Sequence, residues 1–314
     1  MNNNTINIGN IFVYISKKLK TKFSETNIDN VIADGPTING IEIGNIENES
    51  KYSSLKSLSI NFSFLCDLFS NNISNAMTKT SDSSQTNVDR AVDTDTGVSI
   101  MKYTGNGAIS TILHGLGKAP GMVWIKATGK SSVCKAWHTG LSNATRSYIV
   151  FAANQAETNF SDDRVWGAGH TSTAIGVGTH TYTNNNTDAY IAYAFSEVEG
   201  FSKFGTYKGN NNVDGAFVYL GFKPALLILK KTASGSWYVW DNGRMVTNPA
   251  GGAVYPLRPD DTATESSIGS GGLIDFLGNG FKIRSTWGDI NGSGVTVTYS
   301  AWAESPFSGN NRGK

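Results

Sequence analysis

"YTGNGAISTILHGLGKAPGMVWIK", residues 103–126, is answered further along the chain by "YKGNNNVDGAFVYLGFKPALLILK", residues 207–230. Setting Tyr103 on Tyr207 aligns Gly105 with Gly209, Pro120 with Pro224 and the apolar run 122–126 with 226–230, all at one offset. Trp137-His138-Thr139-Gly140 then falls on Trp240-Asp241-Asn242-Gly243, and 192–202 echoes 299–308, with Glu197 opposite Glu304. Chance does not hold one offset over such a distance. The chain from residue 98 reads as two copies of one module, 98–203 and 204–314, too few for a solenoid or a propeller.

Each copy reads as β-structure. Its runs are short, rich in Val, Ile, Tyr, Phe and Trp, and bounded by Gly, Asn, Asp or Pro. The Tyr-x-Gly-Asn segment is expected to end a first strand in a turn, because Gly and Asn accept positive φ. Pro120 or Pro224 then fixes φ ahead of an unbroken apolar strand, the expected core of its module. First strand and core strand are expected to form one hairpin, built twice. The fold class is therefore all-β, with two tandem β-sandwich, jelly-roll-like modules after a mixed, partly extended N-terminal region.

Residues 1–97 have another texture, poor in glycine turns and without tryptophan. Asn39-Gly40 within 37–46 signals a hairpin. Leu55, Leu58, Phe62, Leu65 and Phe69, spaced by three and four, predict a helix within 54–77. The polar stretch 75–97 reads as a linker.

With 314 residues, a net charge of +1 and 16% charged residues, nothing in the composition points to nucleic acid or an acidic partner. No window reaches the length of a membrane span, so no membrane insertion is expected. Cys66 and Cys134 lack metal-ligand or disulfide spacing.

Motifs that imitate chemistry are weak. "GLGK" (115–118) and "TGKSS" (128–132) resemble pieces of a phosphate loop, but Ile112 and Trp124 stand where its leading glycine belongs. His114, His138, His170 and His180 are isolated in the first copy. Metal binding would need a symmetry axis to gather them, and neither metal nor cofactor is expected. Asp162-Asp163, Asp188, Asp260-Asp261, Asp275 and Asp289 are the carboxylates a glycosidase would draw on, yet adjacent aspartates in a strand face opposite sides. Ser172 and His170 within "GHTST" (169–173) lack a nucleophile elbow. Glu197 and Glu304 read as a repeated structural pair. Trp166, Trp237, Tyr238, Trp240 and Trp287 lie near Gly, Asn and Asp, the mix that stacks on sugars, and are the candidate glycan contacts. Core packing or subunit contacts are the competing reading for the same rings.

The runs "SIMKYTGNG", "HGLGKAPGMVWIK", "AYIAYAFSEVEGFSKFGTYKGN", "GAFVYLGFKPALLILKK", "WYVWDN", "DFLGNGFKIR" and "YSAWAESPF", in order through 98–308, resemble the C-terminal region of marine phage tail-fibre and virion structural proteins. That resemblance implies a non-enzymatic protein of the phage particle, a tail fibre or tail appendage for host attachment. It is expected to be made in the host cytoplasm and carried in the virion. It implies a homotrimer, held to other tail or capsid proteins through residues 1–97, with host surface glycan as a partner. A capsid decoration or head fibre and a glycan-degrading spike are the alternatives.

Overall fold

The computed structural model describes residues 78–80, 88–128, 132–243, 256–260 and 274–303. The hairpin expected at 37–46, the helix expected within 54–77, Cys66, Asp261 and Glu304 lie outside them.

Ahead of the first copy stand β1 (Thr78–Thr80) and β2 (Val88–Asp93); the copy runs β3 (Val98–Thr104), β4 (Ser110–Leu113), β5 (Pro120–Ala127), β6 (Lys135–His138), β7 (Ser147–Val150), β8 (Thr158–Asn159), β9 (Ala174–Val177) and β10 (Ala189–Ser196). The second runs β11 (Ser202–Lys208), β12 (Phe217–Tyr219), β13 (Pro224–Lys231), β14 (Trp237–Asp241), β15 (Ile274–Leu277), β16 (Gly280–Ile283), the short helix α1 (Gly288–Asn291) and β17 (Thr296–Ala303). The chain is all-β, as its punctuation requires. One sheet has eight strands in the order β1-β2-β3-β10-β5-β6-β7-β8, with β4 and β9 paired separately. The second copy pairs β11-β17-β13-β14 and, apart from them, β12-β16-β15.

Two expectations change. β3 and β5 do not form a hairpin, nor do β11 and β13: the last strand of each copy, β10 or β17, lies between them. The burial pattern gives the reason. β10 is buried along nearly its whole length and needs neighbours on both edges and both faces, whereas β3 alternates and tolerates a place nearer the rim. The stretch 75–97, expected as linker, supplies β1 and β2, which extend the sheet beyond β3. Its polar residues fit because β1 is the edge strand of this sheet and β2 lies next to it.

Pro120 and Pro224 open their strands, each beside a register irregularity, where the missing N–H costs no ladder bond. The strands they open are buried along their length. One face of the eight-stranded sheet, with Met101, Val123, Ile125 and Tyr190, packs under β4 and β9. The other face, with Met122, Trp124, Phe151 and Phe195, shares a single core with Phe204, Ile228, Trp237 and Trp302 of the second copy. The two modules are thus fused face to face. Trp237 Nε1 donates to Val150 O at 3.0 Å, and Gly121 and Gly140 leave room for Phe204 and Thr206.

The Tyr-x-Gly-Asn segments also serve a purpose other than the turn expected of them. Gly105 is not in the left-handed region; a Cβ on it would lie 2.1 Å from Asn185 O, and one on Gly209 2.3 Å from Gly292 O. Both glycines are needed for close approach. Tyr103 and Tyr207 donate to Thr183 O and Ile290 O, one residue before the buried Asn184 and Asn291. Asn184 Nδ2 donates to Asn106 Oδ1, Ala108 O and Gly178 O, and Asn291 Nδ2 to Asn210 Oδ1, Asn212 O and Ser285 O. One carboxamide in each module ties three chain segments together.

Candidate functional site

The aromatic residues expected to meet a glycan are mainly core. Trp166, Trp237, Tyr238 and Trp240 are buried, and only Trp287 is half-exposed. Trp166 Nε1 donates to Ser147 O at 2.7 Å, and Trp237, Tyr238 and Trp240 lie on β14. These four rings cannot stack on a ligand without opening the core; the neighbouring Gly, Asn and Asp belong to the turns that end a buried strand.

The other candidates are also engaged in structure. His114 and His138 accept backbone N–H bonds at Nδ1, from Leu116 and Gly140, and pair through Nε2 with Thr171 O and Tyr299 O. That geometry assigns the Nε2–H tautomer to both. Burial holds His138 down to about 4 and His170 to about 3, so both are neutral. Asp162 binds Arg164, Asp163 binds Arg146 and Asp275 binds Arg284. Asp188 accepts from Asn185, and Asp260 from the N–H of Trp237. Glu197 is exposed at the end of β10. Gly115 and Gly117, at φ +73° and +71°, turn the chain into β5, and the 169–173 stretch leads into β9. Among the described residues no group of three His, Cys, Asp or Glu side chains is placed to hold a metal ion. No helix there is long and apolar enough to cross a membrane. Between the modules, Met122, His138, Lys230, Trp237, Thr298 and Ser300 line a cavity of about 10 Å³, the size of one water molecule.

What remains is a pair of equivalent positions beside the two asparagine clamps. Ile125 faces Lys135 across β5 and β6, and Leu229 faces Tyr238 across β13 and β14, so Lys135 and Tyr238 are twins. By the same alignment Tyr182 corresponds to Asp289 and His180 to Trp287. In the second module Tyr238 donates to Asp289 Oδ2 at 2.6 Å, Lys231 Nζ lies 2.6 Å from Asp289 Oδ1, and the Trp287 ring stands edge-on to Tyr238 at 4.5 Å. Burial opposes ionisation of Asp289, but the bonds from Lys231 and Tyr238 outweigh it and hold the carboxyl below its usual range.

In the first module Lys135 Nζ sits 3.8 Å from the Tyr182 ring centre and 4.3 Å from that of Tyr148. Phe160 packs on Tyr148, His180 on both Phe160 and Tyr182, and the Arg164 guanidinium lies 5.2 Å from the Phe160 ring centre. Burial brings Lys135 down to about 8. Burial, then the nearby Lys135 and Arg164, lowers His180 as well. Phe160, His180 and Tyr182 are half-buried, so this cluster reaches the surface. Sequence reading missed Lys135, Tyr148, Phe160 and Tyr182; the signal was the set of aligned positions at which the two copies disagree beside positions at which they agree.

A family model matches residues 25–306, most of the chain. The chain belongs to that family, a domain of unknown function (DUF7483). The family match runs through both modules and begins upstream of them, in keeping with a shared core and with strands drawn from residues before 98. No curated protein and no solved structure matches the chain.

Proposed function

We propose that the chain is a non-enzymatic structural protein of a phage particle, a tail fibre or tail appendage that takes part in host attachment. The resemblance of 98–308 to phage tail-fibre and virion structural proteins supplies the setting. The structural role rests on one observation: the two modules are fused through one core, and the buried His138 and Lys230 within it hold backbone. His138 bridges the modules to Tyr299 O, and Lys230 Nζ donates to Lys231 O and Ala233 O. Such a body suits load and display.

In this reading residues upstream of β2 hold the chain to its neighbours in the particle, and three copies assemble so that weak surface contacts add. Gold-labelled antibody against the chain should mark the tail in electron micrographs of intact particles, and the purified protein should compete with phage adsorption. Label confined to the capsid would replace the reading with a decoration or head-fibre role. Sedimentation at micromolar concentration should give the mass of a trimer; a monomer would remove that part.

A further inference from the structure

We propose that Lys135 and the rings around it form a binding site for a carboxylate-bearing sugar, such as a uronic or sialic acid of a host surface polysaccharide. This rests on the attachment reading above and names the ligand class for it.

The first observation is a cation held by aromatic rings. Lys135 is 2% exposed, its ammonium meets two tyrosine rings, and among the described residues it has no hydrogen-bond acceptor. Ring faces offset part of the lost hydration but accept no conventional hydrogen bond, so the donors of the ammonium are left for a group from outside. The charged and titratable groups around it come from several elements: Cys134 beside it on the chain, Tyr148 of β7, Arg164 after β8, and His180 and Tyr182 before β10. Asp162, the carboxylate that acts on His180, is bound by Arg164 at 2.6 and 2.7 Å. Among the described residues the site therefore carries positive charge without a free anion of its own.

The second observation is the twin. At the place of Tyr182 the other module puts Asp289, which neutralises Lys231 and accepts from Tyr238. The fold can seat a carboxylate here, and the described residues of the first module do not supply one. A carboxylate from outside would complete the site, and the half-exposed faces of Phe160, His180 and Tyr182 would take the apolar face of its sugar ring.

Calorimetric titration of the full chain tests this with trigalacturonate, sialyllactose, the carboxyl-reduced form of each, and inorganic phosphate. At least one acidic sugar should bind saturably, with its reduced form and phosphate at least about tenfold weaker. Lys135→Met, which keeps the apolar stem, should lose at least about tenfold while melting as one transition. Phe160→Ala should weaken the sugar as well, whereas Trp287→Ala in the twin site should not. Equal binding of charged and reduced sugars, unchanged binding by Lys135→Met, or no binding of either acidic sugar at millimolar concentration would overturn the proposal. Fluorescent protein applied to host cells separates the two readings. Cells coated but not cleared by an acidic sugar would sink this inference alone; cells left uncoated would sink the attachment reading.

Discussion

Asn184 and Asn106 exchange two hydrogen bonds across the first module, Asn184 Nδ2 to Asn106 Oδ1 at 2.9 Å and Asn106 N to Asn184 Oδ1 at 3.0 Å. Asn291 and Asn210 repeat the exchange in the second at 3.1 and 3.0 Å. Alanine at either buried asparagine would strand several backbone groups. Asn184→Ala and Asn291→Ala should each cost about 2–4 kcal/mol in urea unfolding, summed from lost buried bonds. A loss below about 0.5 kcal/mol at one of them would show that its clamp is replaceable.

Two glycines separate close approach from backbone strain. Gly105→Ala drives a Cβ into the Asn185 carbonyl and should leave little soluble, folded protein. Gly117 has open space around its Cα but a φ of +71°, so Gly117→Ala should cost only about 1–2 kcal/mol. Expression yield and thermal melts compare them directly; equal effects would mean that the contact at Gly105 is relieved by movement.

The buried histidines predict acid sensitivity. Their folded-state values lie below the ordinary 6.5, His138 at about 4, His170 at about 3 and His114 also lowered, so unfolded chains bind more protons as the pH falls. Their stability is full above about 6.5 and drains away between there and 4. His138 accounts for on the order of 2–3 kcal/mol of that fall. Unfolding of His138→Gln across this range should show a correspondingly shallower decline, and a slope like that of the native chain would contradict the assignment.

Lys135 carries the opposite expectation for a stabilising residue. Its value is depressed to about 8, so below that pH the folded state bears a buried charge that the unfolded state hydrates. Lys135→Met should therefore match or exceed the native stability at pH 7, by on the order of 1–2 kcal/mol, with the gain fading as pH rises towards 10.5. Destabilisation at pH 7 would mean that contact with Tyr148 and Tyr182 outweighs lost hydration.

Because Trp237, Phe204 and Trp302 share one core with Trp124 and Phe195, calorimetry should record a single unfolding transition for residues 88–303. Expressed alone, residues 202–314 would expose that face and should aggregate. Two separate transitions would show the modules to be independent.

The duplication, the all-β class and the two core strands were legible in the sequence, because an unbroken apolar run after proline is a local pattern and a repeated offset needs no structure to be seen. The strand between β3 and β5 was not, since the pairing partner of a strand depends on which distant run can be buried on both edges and both faces. β1 and β2 look polar because they lie at and next to an edge of the sheet, and locally such a strand reads like a linker. Of the two readings of the aromatic residues, core packing is the one the fold bears out for β14: Trp237 enters the core between the modules, while Tyr238 and Trp240 are buried on the opposite face of the strand, Tyr238 against Trp287. Thr187 and its twin Gly294 share the left-handed region, at φ +67° and +71°, so the fold imposes the backbone there whatever the residue. Lys135 gave no sequence signal by itself. Only the folded chain brings Tyr148, Phe160, His180 and Tyr182 around it, because the environment of a side chain is set by segments that meet in space.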